Sequence, residues 1–167
     1  MIRYAILTIS DRSARGDRPD LSGPALAEAI QHFDGKVTET NLIPDEQDQI
    51  AALLRRWCDE DLADVILTTG GTGFAQRDVT PEATLQVIER SAPGLVEAMR
   101  WKSLQITPHA MLSRAQAGIR RRTIIINLPG SPKGAVENFE MVSTVLPHAV
   151  ELLRSDHIPD SHHKTKK

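Results

Sequence analysis

The segment 68–84, TTGGTGFAQRDVTPEAT, sets three glycines within four residues, follows them with an acid and closes on Thr-Pro-Glu. Glycine permits positive φ and lets backbone approach a ligand closely. Successive amides in such a loop can cradle a phosphate. The plainer account is a tight strand-to-helix turn, and spacing leaves both open. Two familiar phosphate loops do not fit. A Walker A loop needs Gly-Lys-Ser/Thr after four intervening residues, and a G-x-G-x-x-G counted from Gly71 would need glycine where Gln76 stands. Thr80 reads as a helix N-cap, Pro81 as the first helical residue and Glu82 as an acid complementing the positive helix end. Asp78, two residues before that cap, has no capping duty in this reading. A carboxylate beside a phosphate cradle repels an anion unless a cation bridges them. Mg²⁺ is the natural bridge, because it takes carboxylate and phosphate oxygens together.

Other residues that could do chemistry each have a plainer account. Asp45 precedes the acid-rich start of a helix (Glu46, Asp48) and can serve as its cap. In NLPGSPKG, residues 127–134, Ser131 can cap a helix that Pro132 starts, and its amino end with Lys133 could receive an anion. Ser113-Arg114 has no clear place, since a lone arginine usually lies at the surface. Arg120, Arg121 and Arg122 read as a solvated edge before a strand. His109, His157, His162 and His163 show no metal-ligand spacing, and Cys58 reads as a packed residue in a helix beside Trp57.

The elements that must position these residues alternate. Residues 3–10, rich in branched side chains, read as a buried first strand, and 11–22 as a loop. A helix is expected over 24–33 with Pro24 at its first position, then an outer strand over 36–43. The next helix carries Ile50, Leu53, Leu54 and Trp57 on one face. A third strand, 65–69, runs into the glycine loop. Helices are expected over 81–91 and 94–105, a short strand within 111–118 and a last strand over 122–128. A final helix bears Val136, Phe139 and Val142 on one face and bends or breaks at Pro147. The pattern predicts one domain over 1–155, an α/β fold on a mostly parallel sheet. Residues 156–167 read as a polar, disordered tail. In such sheets ligands bind beyond the carboxyl ends of the strands. Ser10-Asp11, Pro44-Asp45, 70–78 and 127–133 all fall at such ends, which makes one crevice plausible.

Composition narrows the class of partner. A chain of 167 residues with 40% apolar and 25% charged residues is that of a soluble globular domain. A net charge of -2 gives no whole-protein attraction to nucleic acid or anionic membrane. One cysteine excludes an intrachain disulfide. The amino terminus reads as a strand rather than a signal peptide, and no apolar run nears the ~20 residues of a membrane helix. The expected location is the cytoplasm.

These residues together resemble the molybdopterin adenylyltransferase family of molybdenum cofactor biosynthesis, which includes bacterial enzymes and domains of proteins such as gephyrin. The resemblance covers nearly the whole chain up to the tail. It rests on LTISDR (7–12), LIPDEQ (42–47), LTTGGTG through RDVTPEAT (67–84), LSRAQAGIR (112–120) and INLPGSPKG (126–134). It implies a three-layer α/β/α fold, a homotrimer, and transfer of AMP from MgATP to molybdopterin with release of pyrophosphate. A partner enzyme then inserts molybdate. By resemblance Asp45 and Asp78 are the catalytic acids; Asp78 would be a metal ligand, and Asp45 would either be a second one or orient the attacking phosphate, between which the sequence does not choose. Nucleotide or molybdopterin would be bound by Ser10, Asp11, Thr69, Gly70, Gly71, Thr72, Gly73, Thr80, Pro81 and Glu82. Ser113, Asn127, Pro129, Gly130, Ser131 and Pro132 would line the pterin and phosphate region. Two other readings compete: a binder or scaffold without turnover, and a nucleotide hydrolase. Retention of both acids opposes the first. Hydrolase relatives are usually fused to further domains, for which this length leaves no room.

Overall fold

The computed structural model describes residues 1–155, so the expected tail lies outside the described residues. Six strands form one sheet in the order β2-β1-β3-β6-β5-β4. β1 (Ile2–Ile9), β2 (Gly35–Ile43), β3 (Val65–Thr69) and β6 (Thr123–Leu128) run parallel, while β5 (Ala117–Arg120) and β4 (Arg90–Ser91) extend the sheet antiparallel. β3 and β6 are buried along their whole length, as their continuous apolar runs require of strands covered on both faces.

Two cores cover the two faces. On one, Leu26 and Ile30 of α2 (Ser22–His32), Val96 and Met99 of α5 (Pro93–Leu104), Phe139 of α6 (Pro132–Ser143) and Val150 of α7 (Leu146–Arg154) pack against Tyr4, Ile6, Leu67 and Ile126. On the other, Ile50, Leu54 and Trp57 of α3 (Gln47–Asp59) and Ala83 of α4 (Thr80–Leu85) pack against Leu7, Ile66 and Ile125. The expected three-layer arrangement is therefore present. Cys58 is buried in the second core, and burial pushes its thiol up to about 12.

Several local expectations change. Residues 11–14 are not loop but a short helix, α1 (Asp11–Ala14), because Ser10 accepts from the Ser13 amide and caps it. α2 begins at Ser22, two residues before Pro24, because the Asp20 carboxylate takes the amides of Ser22 and Gly23. The helix expected over 81–91 ends at Leu85, and Arg90–Ser91 becomes an edge strand paired with Gly118 and Ile119. A short 3-10 helix (Pro108–Leu112) precedes β5. The basic run is mostly turn: Arg121 and Arg122 connect β5 to β6, with Arg121 at φ 51, while Arg120 ends β5 and pairs with Asp59 and Glu89 rather than with water alone. The final helix does break before Pro147, which takes a first-turn position in α7 where its missing N–H costs nothing.

Candidate active site

The four strand ends converge as the parallel sheet requires. A cleft of about 560 Å³ opens there, and Ser10, Asp11, Asp45, Thr69, Gly70 and Gly71 line it. Asp78, Gly130, Ser131 and Pro132 complete its wall. A second, more apolar pocket of about 350 Å³ lies on the other side of the glycine loop. Thr72, Gly73, Ser113, Asn127 and Pro129 line that one, and Ser131 borders both. Gly70 and Gly71 thus face one cavity and Thr72 and Gly73 the other.

The loop needs its glycines. Gly70 has φ 103, and a Cβ there would stand 2.2 Å from the Ile9 carbonyl oxygen. Gly71 has φ 64, and its Cβ would lie 2.4 Å from Thr80 Oγ1 and 2.8 Å from Asp45 Oδ1. Both conformations are strained for any other residue. Thr80 is not the N-cap. It is the first residue of α4, and its hydroxyl donates to the Gly70 carbonyl (2.9 Å) while its amide donates to Gly71 O (3.1 Å). Pro81 is buried behind it. Thr80 therefore closes the base of the loop from inside.

Asp45 is not a helix cap either. α3 starts at Gln47, its N-cap is Glu46, and no side chain caps it. Instead Asp45 and Asp11 exchange bonds. The Asp11 amide donates to Asp45 Oδ2 (2.8 Å) and the Asp45 amide donates to Asp11 Oδ1 (3.0 Å), which locks the end of β1 to the end of β2. Asp45 Oδ1 accepts no bond from any described residue and abuts Gly71. Burial raises the Asp45 carboxyl above the usual range, and the nearby charges of Asp11 and Asp78 add to this against the Asp11 amide and Arg77. Asp78 has a local duty that spacing did not show: its Oδ2 accepts from the Ala75 amide (2.9 Å). Neither Asp45 nor Asp78 forms an ion pair with a described residue.

The remaining expected residues are spent on structure to different degrees. Ser131 caps α6 as expected, accepting from Gly134 N at 3.2 Å. Asn127 is fully buried. It donates to Thr68 Oγ1 and Thr84 Oγ1 and accepts from the Gln116 amide, so little of its amide is left for a ligand. Thr69 donates to Pro129 O at 2.7 Å, tying the two loops together. Glu82 pairs with Arg114, which holds its carboxyl below the usual range.

Two arginines matter that sequence reasoning passed over. Arg77 forks onto Asp11 through Nε and Nη2, both at 2.9 Å, and also reaches Glu46 at 2.8 Å. It holds the Asp11 carboxyl below its ordinary value. Its place within RDVTPEAT was the available signal. Arg114 grips the glycine loop, 41 residues away in sequence, and its place within LSRAQAGIR was the available signal. Arg18 and Asp20, in the segment expected to be loop, also line the cleft.

With this geometry in view, the family described as "Probable molybdopterin binding domain" matches residues 5–148. The chain belongs to this family. A molybdopterin adenylyltransferase of Helicobacter pylori (strain J99) is 42% identical over 94% of this chain and 90% of its own length. The molybdenum cofactor synthesis protein cinnamon of Drosophila melanogaster is 46% identical over 93% of this chain. The chain spans about a quarter of that protein's length (26%), so the same domain recurs within longer family members. Among solved structures, the molybdopterin biosynthesis enzyme MoaB from Thermus thermophilus superposes with a TM-score of 0.87 at 50% identity, covering 92% of this chain and 96% of that one.

Proposed function

We propose that this chain is a molybdopterin adenylyltransferase: it transfers AMP from MgATP to the phosphate of molybdopterin and releases pyrophosphate. The observation that carries this reading is the pair of acids, Asp45 and Asp78, brought to one cleft beside a positive-φ glycine loop and ion-paired with no described residue. A cleft meant for a bare anion would not hold two such carboxylates. One or two carboxylates together with substrate phosphates is the usual set for Mg²⁺, and the open Oδ1 of Asp45 fits it. Asp45 and Asp78 would hold the ion. When bound, it neutralises charge on the triphosphate.

The chain's own part is positioning. The phosphate of molybdopterin is ionised near neutral pH, so no strong general base is needed. Its oxygen attacks the α-phosphorus of ATP, a new P–O bond forms, and the bond to the pyrophosphate oxygen breaks with its electron pair. The glycine loop lets backbone stand close to the nucleotide, and the site's fixed charges serve the in-line geometry. The apolar pocket beyond Thr72 and Gly73, walled by Met99, Leu112 and Ser113, is suited to the flat pterin. A homotrimer, a cytoplasmic location and a downstream molybdate-inserting partner complete the proposal. No helix among the described residues is long and apolar enough to cross a membrane.

The deciding experiment is pyrophosphate release from MgATP with and without molybdopterin. Release that requires the pterin supports the transferase. Orthophosphate or AMP formed without it indicates a hydrolase, and pterin binding without turnover indicates a binder.

A further inference from the structure

Arg114 adjoins the apolar pocket. Its neighbours Ser113 and Ala115 line the apolar pocket, while its guanidinium turns to the outer part of the glycine loop. Its backbone amide donates to Thr72 O (2.9 Å), its Nε to Gly73 O (2.7 Å) and its Nη2 to Asp78 O (2.6 Å). The rest of the fork pairs with the Glu82 carboxylate on α4.

Gly73 and Asp78 are the two feet of the 73–78 excursion. Within it, the backbone ties are short-range, the Asp78 amide to Ala75 O and the Ala75 amide to Asp78 Oδ2, while the Arg77 side chain reaches out to Asp11 and Glu46. Thr80 holds only the base, at Gly70 and Gly71. The loop is thus fastened in two tiers, and in the outer one Arg114 holds the Gly73 and Asp78 carbonyls from a distant part of the chain. A planar guanidinium can span two carbonyls and a carboxylate at once, whereas a lysine ammonium presents a point charge on a flexible stem.

We propose that Arg114 is a positioning residue that fixes both feet of this excursion and thereby sets the Asp78 carboxylate at the cleft. It touches neither nucleotide nor pterin in this role. The proposal rests on the reading that Asp78 serves the metal and triphosphate, and its test separates the two. Glu82 is part of the device, because it orients the fork that grips the carbonyls.

The first arm needs no ligand. Amide hydrogen exchange is measured on Arg114→Lys and on the unaltered chain. Ala75 and Asp78 should exchange at least ~10-fold faster in the variant, because losing charge-assisted bonds to the loop makes its local opening easier. Amides of β3 and the melting temperature should be unchanged. Unaltered exchange at Ala75 and Asp78 overturns the proposal.

The second arm is turnover against Mg²⁺ concentration with saturating ATP. Arg114→Lys should need ~10-fold more Mg²⁺ for half-maximal rate, with the KM for molybdopterin unmoved. A wild-type Mg²⁺ dependence overturns the role of Arg114 in setting Asp78. If the unaltered chain makes no pyrophosphate, the functional reading fails instead, and the exchange arm still decides the contact. Should Arg114→Lys not fold, Glu82→Gln loosens the same fork. It must speed exchange at Ala75 and Asp78, and silence there overturns the proposal equally.

Discussion

Asp64 and Asp45 are acids withdrawn from water at opposite ends of one sheet, and the protein treats them oppositely. Asp64 precedes β3 at the amino end of the strands, with its side chain only 4% exposed. It accepts from the Arg3 amide (2.7 Å) and from Arg3 Nη2 (3.0 Å), and it pairs with Arg154 of α7. Burial, the largest single influence, pushes its carboxyl up, but the hydrogen bonds from Arg154 and Arg3 outweigh that and hold it below the usual range. Asp45, at the carboxyl end of β2, accepts one amide bond and, among the described residues, has an open oxygen and no ion pair, and burial keeps its carboxyl high. One end of the sheet uses its charge to hold strands and a helix together. The other leaves charge uncompensated, which costs free energy in a half-buried group and which the proposed cation would offset.

The largest expected effect breaks the Asp64 end. Asp64→Asn should destabilise the fold by about 3 kcal/mol at pH 7, the low end for removing a buried charge from its partners, because Arg3 and Arg154 can still reach water. The sign follows from the lowered carboxyl. Its contribution is present above the unfolded value of ~3.9 and is lost as pH falls through the lower folded value. Urea denaturation at pH 7 and in strong acid should therefore show the variant and the unaltered chain converging at low pH. Equal stability at pH 7 would contradict the contrast.

At the other end the loss should be catalytic. Asp78→Asn should fold normally by circular dichroism and lose at least ~100-fold in adenylylation across a Mg²⁺ titration, about 2.7 kcal/mol of barrier. Wild-type turnover by the folded variant would remove Asp78 from the metal.

Gly71→Val tests whether the two ends share the same rigidity. Its side chain would point at Thr80 and Asp45, not at open solvent. The positive φ and this overlap should cost about 2 kcal/mol of stability, while calorimetry on folded variant should show nucleotide weakened more than pterin. Equal weakening of both ligands would argue against contact between this loop and the nucleotide.

Asp45→Asn should show the smallest effect and the sharpest sign. Asparagine keeps an oxygen for the Asp11 amide, so the helix and the β1–β2 lock should survive. Turnover should fall at least ~10-fold, about 1.4 kcal/mol. Because the folded carboxyl is raised, the aspartate contributes most below the unfolded value of ~3.9 and loses that contribution as pH rises through its folded value. Thermal melting at pH 7 should thus find the variant as stable as the unaltered chain or slightly more so. A stable, fully active variant would make Asp45 structural only.

The sequence by itself determined the layers. Val65–Thr69 and Thr123–Leu128 are built on apolar runs, 65–67 and 124–126, that only a doubly covered strand can bury, and Ile50, Leu54 and Trp57 recur at helical spacing. It also marked the glycine loop, since Gly70 and Gly71 sit where backbone geometry excludes other residues, a local constraint that local sequence can show. The duties of the polar residues were settled only in three dimensions. Asp45 looked like a cap because an acid before a helix is a local pattern, yet its partner is the Asp11 amide, 34 residues away. Thr80 looked like a cap for the same reason and instead fastens Gly70. Arg114 stands in the LSRAQAGIR segment, but nothing in that segment shows its duty, because a guanidinium that grips Gly73 across 41 residues obeys no periodicity. Side-chain hydrogen bonds reach a few ångströms in space and any distance along the chain, so only the folded sheet, by bringing its strand ends together, decides which carboxylates are neutralised and which are left open for a ligand.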